Sequence, residues 1–256
     1  MKKILILLLI STNLYSQDYV PDRPGICNSP YLVGLHQIDF ESGIGYNYYA
    51  PDNVFYNTYL FRYGMFKHLE IRGDIDFGFT HSINNTNYSG VKAITLGVKI
   101  PIINNIKYLP DVGLMGGIML PNINKAYTPI DYLPAITLLL SKNIKNITIA
   151  SNVGIFWDGH DNSEDFFIIN PYSIDNSAQF SYSIMIGYSI KKLQFFVETY
   201  GFMSNSKPYS GCDGGISYFL TPELQMDFSI GLNYIIGLNN SFIGAGIAWR
   251  IPNKNK

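Results

Sequence analysis

The chain has 256 residues, a net charge of −1, 15% aromatic residues and only 14% charged residues. Ordinary soluble domains carry about a quarter charged residues. The composition instead fits an apolar belt with aromatic girdles. The near-zero charge excludes strong general attraction to nucleic acid, and no nucleic-acid partner is expected. Cys27 and Cys212 are too few for a disulfide scaffold. One bridge or two free thiols both remain open readings.

Residues 1–16 read as a signal peptide. Lys2 and Lys3 precede the apolar run Ile4 to Ile10, polar Ser11-Thr12-Asn13 follows, and cleavage is placed between Ser16 and Gln17. The run is too short to span a bilayer as a helix. Residues 17–35 hold Pro21, Pro24, Gly25 and Pro30 and form an irregular periplasmic leader, either a tail or a lumen plug. Cys27 follows Pro24-Gly25-Ile26 and lies well beyond the apolar run, so it is a poor lipid-acceptor site.

Twelve alternating segments follow in residues 36–251, and residues 252–256 form a polar tail. They run about His36 to Tyr48, Val54 to Tyr63, Leu69 to Phe79, Val91 to Ile100, Val112 to Leu120, Leu133 to Leu140, Ile147 to Trp157, Gln179 to Ile190, Leu193 to Phe202, Cys212 to Leu220, Leu224 to Asn233 and Phe242 to Ile251. The third is the most informative. Leu69, Ile71, Ile75, Phe77 and Phe79 alternate with Glu70, Arg72, Asp74 and Asp76. Period-two alternation places these sets on opposite faces of a strand. Segments of about ten residues suit tilted transmembrane strands.

The connections sort into two classes. Those around Gly64–Lys67, Ser141–Lys145, Lys191–Lys192 and Thr221–Glu223 are short. Those at His81–Gly90, Pro121–Tyr132, Asp158–Ser177 and Met203–Gly211 are longer. Short turns on one rim and long loops on the other are the pattern of an outer-membrane barrel. Two joints fit poorly: Pro51-Asp52-Asn53 is short where a loop is expected, and Pro101 to Asp111 is long where a turn is expected. The non-apolar faces are rich in Gly, Ser and Asn, which suits a lumen better than a charged soluble exterior. The expected fold is therefore an all-β, transmembrane, antiparallel up-and-down barrel of about twelve strands, apolar face outward.

Three groups of residues carry a family resemblance. The first is Asp22-Arg23-Pro24, Ser29-Pro30-Tyr31 and Gln37-Ile38-Asp39-Phe40-Glu41-Ser42-Gly43. The second is Arg62-Tyr63-Gly64 with Leu69-Glu70-Ile71-Arg72. The third joins Asp213-Gly214-Gly215, Leu220-Thr221-Pro222-Glu223-Leu224-Gln225-Met226-Asp227 and the closing Ile243 to Arg250. Together they resemble the outer-membrane transporter-like β-barrel family associated with meta-pathway phenol degradation, in its Bacteroidetes-type form. Cys27-Asn28, where the leader is usually acidic or Thr-rich, departs from that pattern, as does Asp39 preceding Glu41. The resemblance implies a channel for small solutes, apolar or aromatic by association.

The candidate solute pathway comprises Asp39, Glu41, Arg62, Glu70, Arg72, Asp74, Asp76, Glu198 and Asp227, all on the expected lumen face. These charges either set the pore's field or fill the barrel as cross-strand ion pairs. Asp22 and Arg23 are the candidate plug residues, Arg23 pairing with Glu41 or Asp227. The resemblance favours a docked leader. His160-Asp161-Asn162-Ser163 sits in the longest loop among acidic residues, without the strand-level placement a barrel hydrolase needs. No enzyme activity, cofactor or metal site is expected. The expected partners are outer-membrane lipid, the barrel-assembly machinery and a small-molecule solute. The competing reading is a structural or adhesion barrel whose lumen is closed by ion pairs.

Overall fold

The structure is a computed structural model describing residues 19–49, 53–81, 87–121, 123–124, 131–157, 178–203, 209–235 and 238–252. The segment expected to be a signal peptide, most of the polar tail and the loop carrying His160-Asp161-Asn162-Ser163 lie outside the described residues. Twelve strands follow in chain order: β1 (Ile38–Tyr49), β2 (Asn53–Phe66), β3 (Leu69–His81), β4 (Asn87–Ile103), β5 (Asp111–Met119), β6 (Leu133–Ile144), β7 (Ile147–Trp157), β8 (Ala178–Ile190), β9 (Leu193–Met203), β10 (Tyr209–Thr221), β11 (Leu224–Ile235) and β12 (Leu238–Ile251). Each pairs antiparallel with its sequence neighbours, and β1 pairs with β12. The result is a closed up-and-down barrel. Closure leaves no unpaired sheet edge, the condition for crossing a bilayer with strands.

Burial follows the period-two pattern. On β3, Glu70, Arg72, Asp74, Asp76 and Thr80 point inward, while Ile71, Phe77 and Phe79 are exposed on the outside. The molecule is inside-out relative to a soluble domain. Its largest fully buried side chains include Arg62, Lys99, Gln179, Gln225, Glu41 and Glu70, whereas Ile230, Leu232 and Val197 are about 60% exposed. Such an apolar exterior calls for lipid. Tyr46, Tyr48, Tyr234 and Trp157 are exposed near one rim, and Tyr63, Tyr188, Tyr218 and Trp249 near the other. Amphipathic rings at both ends match the two headgroup levels.

The rims differ as expected. Two-residue connections at 67–68, 145–146, 191–192 and 222–223 share one rim, and the long connections 120–132 and 158–177 share the other. The first is the periplasmic rim in the pattern of such barrels. Lys145 and Lys191 hold positive φ (55° and 54°) in two of the tight turns. Both poorly fitting joints persist, as residues 50–52 and 104–110. The boundaries need correction at β4, which runs from Asn87 through Pro101 to Ile103 instead of stopping at Ile100. Pro101 is accommodated because the β4–β5 register slips between Pro101 and Ile103. A bulge tolerates a residue that cannot donate to the ladder. Cys27 is buried in the lumen and Cys212 faces outward from β10. The wall separates them and both thiols are free.

Candidate functional site: a leader inside the lumen

Residues 19–35 lie within the periplasmic half of the barrel. Entry is marked by Tyr19, whose ring meets Phe219 edge-on and lies 4.6 Å below the Arg250 guanidinium. The chain then rises across the lumen. The Ile26 and Cys27 N–H groups donate to the Glu198 carboxylate, the second at 2.9 Å. Asn28 and Asn152 exchange two hydrogen bonds at 2.7 and 2.8 Å. The return passes Tyr31, whose hydroxyl donates to Asp111 at 2.9 Å, and Val33, whose N–H donates to Glu70 at 2.9 Å. Leu35 makes a parallel bridge to Gly64 before β1 begins. These contacts reach strands on every side of the barrel.

The electrostatic centre is Asp22. The register of β2 and β3 sets Arg62 directly opposite Arg72, and like charges so placed repel. Asp22 sits between them. Arg72 Nη1 donates to Asp22 Oδ2 at 2.8 Å, Lys99 Nζ lies 3.0 Å from the same oxygen, and Arg62 Nε lies at 3.7 Å. Arg62 also donates to Glu70 at 2.9 Å and to Glu41 at 3.2 Å. The wall thus contributes three cations and two carboxylates, and the leader supplies the third carboxylate. Burial opposes charge on Asp22, but Arg62, Lys99 and Arg72 outweigh it and hold its carboxyl below the usual range. Burial also pushes the Cys27 thiol up to about 12, with the nearby Glu198 and Asp22 charges adding to it against the Ser183 hydroxyl.

Arg23 is the second anchor. Its guanidinium donates to Asp227 from Nη2 at 2.9 Å and from Nε at 3.2 Å, a bidentate pair. Its backbone N–H donates to Glu41 at 2.9 Å, so Arg23 meets both residues named for it, through different atoms. The side chain lies across Gly43 and Gly246, where a Cβ would collide with it.

The candidate residues divide accordingly. Glu41, Arg62, Glu70, Arg72, Glu198 and Asp227 meet the leader or the Asp22 network. Asp39 pairs instead within the wall, accepting from Arg250 at 2.9 Å. Asp74 reaches Arg72 only at 3.9 Å, and Asp76 lies further along β3 towards the long-loop rim. Lys99, Arg250, Asn152 and Asp111 were missed. Lys99 and Arg250 share the inward parity of their strands, which is the signal that could have found them.

Comparison with known proteins follows the geometry. The outer membrane channel COG4313 from Pseudomonas putida F1 superposes with a TM-score of 0.64 at 12% identity, over 89% of this chain and 99% of that one. The KdgM porin in complex with disordered oligogalacturonate gives 0.55 at 7% identity, over 83% and 99%. The NanC porin gives 0.53 at 10% identity, over 83% and 100%. At these identities the likeness establishes the fold, that of outer-membrane barrels. No curated protein matches the sequence. A family model described as "Putative MetA-pathway of phenol degradation" matches residues 21–251.

Proposed function

We propose that this chain, which belongs to the family described as Putative MetA-pathway of phenol degradation, is an outer-membrane channel for passive passage of small solutes, closed on its periplasmic side by its own leader. Transport without catalysis is the reading. The family description supports apolar or aromatic cargo. The printed functions of similar barrels, a channel and porins, support diffusion through the lumen. The observation that carries the proposal is Asp22. A barrel built only to be filled by wall ion pairs, like Asp39 with Arg250, has no need to set Arg62 opposite Arg72 and borrow a carboxylate from a separate segment.

The mechanism has two parts. The wall charges hold the leader and set the field of the passage. Release of Asp22 and Arg23 would leave Arg62, Arg72, Lys99 and Asp227 facing water, so opening exchanges ion pairs for hydration and not for an empty cavity. The barrel-assembly machinery and outer-membrane lipid are the proposed partners for insertion.

Single-channel recording in planar bilayers tests this reading. The Asp22→Ala, Arg23→Ala double variant is expected to open more often than the native chain. Two silent proteins, both folded, would favour a sealed structural barrel.

A further inference from the structure

The rim that carries the short turns is basic over most of its circumference. Lys67-His68 joins β2 to β3, Lys145 stands in the β6–β7 turn, and Lys191-Lys192 forms the β8–β9 turn. Lys107 lies in the longer connection 104–110, between β4 and β5. All of these lysines are exposed. Lys192 braces its own turn by donating to the Leu220 carbonyl at 3.0 Å. Lys67, Lys107, Lys145 and Lys191 have no acidic partner among the described residues. The acids of this rim lie elsewhere. Asp111 is buried and accepts from the Tyr31 hydroxyl and the Asn105 N–H. Glu223 stands in the β10–β11 turn, outside the arc from β2 to β9. Lys145 and Lys191 hold their charges at positive φ, where Gly or Asn costs less. Strain accepted twice for the same side chain points to a use for the charge.

The connection 104–110 shows what this arc faces. Lys142, which shares the outward parity of Ile136 and Leu138 on β6, donates from Nζ to the Ile106 carbonyl at 3.0 Å and to that of Leu109. The connection is thus held on the outer side of the wall. It presents Ile106, Leu109 and Tyr108, the last 84% exposed, next to the exposed Ile100 and Ile102 of β4. The Lys107 ammonium lies 5.4 Å from the centre of the Tyr108 ring. Apolar and aromatic groups ending in a cation suit the headgroup layer of a membrane. The lipid-facing belt therefore runs on into this connection.

We propose that the arc from β2 to β9 binds the phosphate headgroups of anionic phospholipids in the periplasmic leaflet. Lys67, Lys107, Lys145 and Lys191 supply the ammonium donors, with the exposed Tyr63, Tyr108 and Tyr188 at the adjoining headgroup level. An ammonium has three donors and meets phosphate as a point charge. Basic groups at an anionic surface act together and are screened by salt. Continuity with the lipid belt favours lipid over a soluble acidic partner. Between β10 and β1 the described rim offers Glu223 and the paired Arg250 instead. The proposed contact requires only the barrel's insertion, not an open passage.

The chain's two tryptophans, Trp157 and Trp249, make a local test possible. Trp249 faces Leu224 and Phe40 in register, beside the Glu223 turn and outside the arc. Tyr188 faces Ile147 and Phe195, between the Lys145 and Lys191 turns. One protein carries Trp157→Phe and reports from Trp249. A second carries Trp157→Phe, Trp249→Phe and Tyr188→Trp and reports from the arc. Each is refolded into phosphatidylcholine vesicles containing a rising fraction of brominated phosphatidylglycerol or, in parallel, brominated phosphatidylcholine. Fluorescence quenching gives the relative association constant of the two headgroups. The arc reporter is expected to favour phosphatidylglycerol at least about threefold, and the Trp249 reporter to favour neither. Adding Lys145→Gln and Lys191→Gln should abolish the preference at the arc, as should about 1 M salt. Both lysines are exposed, so thermal unfolding should change little. No preference at the arc, an equal preference at both reporters, or a preference that survives the glutamine substitutions would overturn the proposal.

Discussion

Asp22 puts one carboxylate among Arg62, Arg72 and Lys99, all buried. Removing one partner from a buried charge network costs about 3–5 kcal/mol, because the rest stay desolvated and unpaired. Asp22→Ala is therefore expected to release the leader while the strands persist. Cys27 is a native reporter: buried in the docked leader, it should react with a maleimide much faster in Asp22→Ala than in the native chain, Cys212 being replaced in both. The pH dependence has a definite sign. A carboxyl held below its ordinary value contributes stability that is present above the ordinary carboxylate range and lost as pH falls through the depressed value. As far as Asp22 sets docking, protection of leader amides should survive acidification to about pH 4 and fall only in stronger acid. Asp22, Arg62 and Arg72 were legible as candidates from parity and resemblance. Lys99 shares that inward parity, but its contact with Asp22, 77 positions away, was not legible because no local pattern links the leader to β4.

Each strand divides into a lipid face and a lumen face, and substitutions should obey that division. Ile230 is 57% exposed near mid-strand on β11. Ile230→Arg is expected to cost about 2–4 kcal/mol in reversible unfolding from lipid, with little change from the same substitution near a rim. Gly231, the next residue, faces the other way and seats Phe242. Gly231→Val is expected to destabilise the barrel in thermal unfolding, because its Cβ would collide with Asp213 Cβ as well as with the Phe242 ring, and only the ring can swing away. Strand parity was legible because a one-residue slip inverts both faces. Strand length was less so. In β4 the polar residues Asn87 to Gly90 continue the pairing although no apolar alternation marks them. The glycine seats were also hidden: a glycine in a strand signals room for something, and only the register says what fills it.

At the scale of the molecule, closure creates a lumen and the leader takes up its periplasmic half. The barrel was readable from strand count, connection lengths and the apolar excess. The path of the leader was not, because no periodicity governs a segment whose polar groups pair with side chains from Glu41, Glu70, Asn152 and Glu198 on four different strands. The central claim is that this segment, and not the wall, keeps the passage closed. The most direct measurement is single-channel conductance of the folded chain lacking residues 17–31 beside the intact chain, in the same bilayer and salt. The account predicts that the shortened barrel conducts persistently, with a larger unit conductance than the intact chain. Equal conductance from the two barrels, or silence from both, would contradict it.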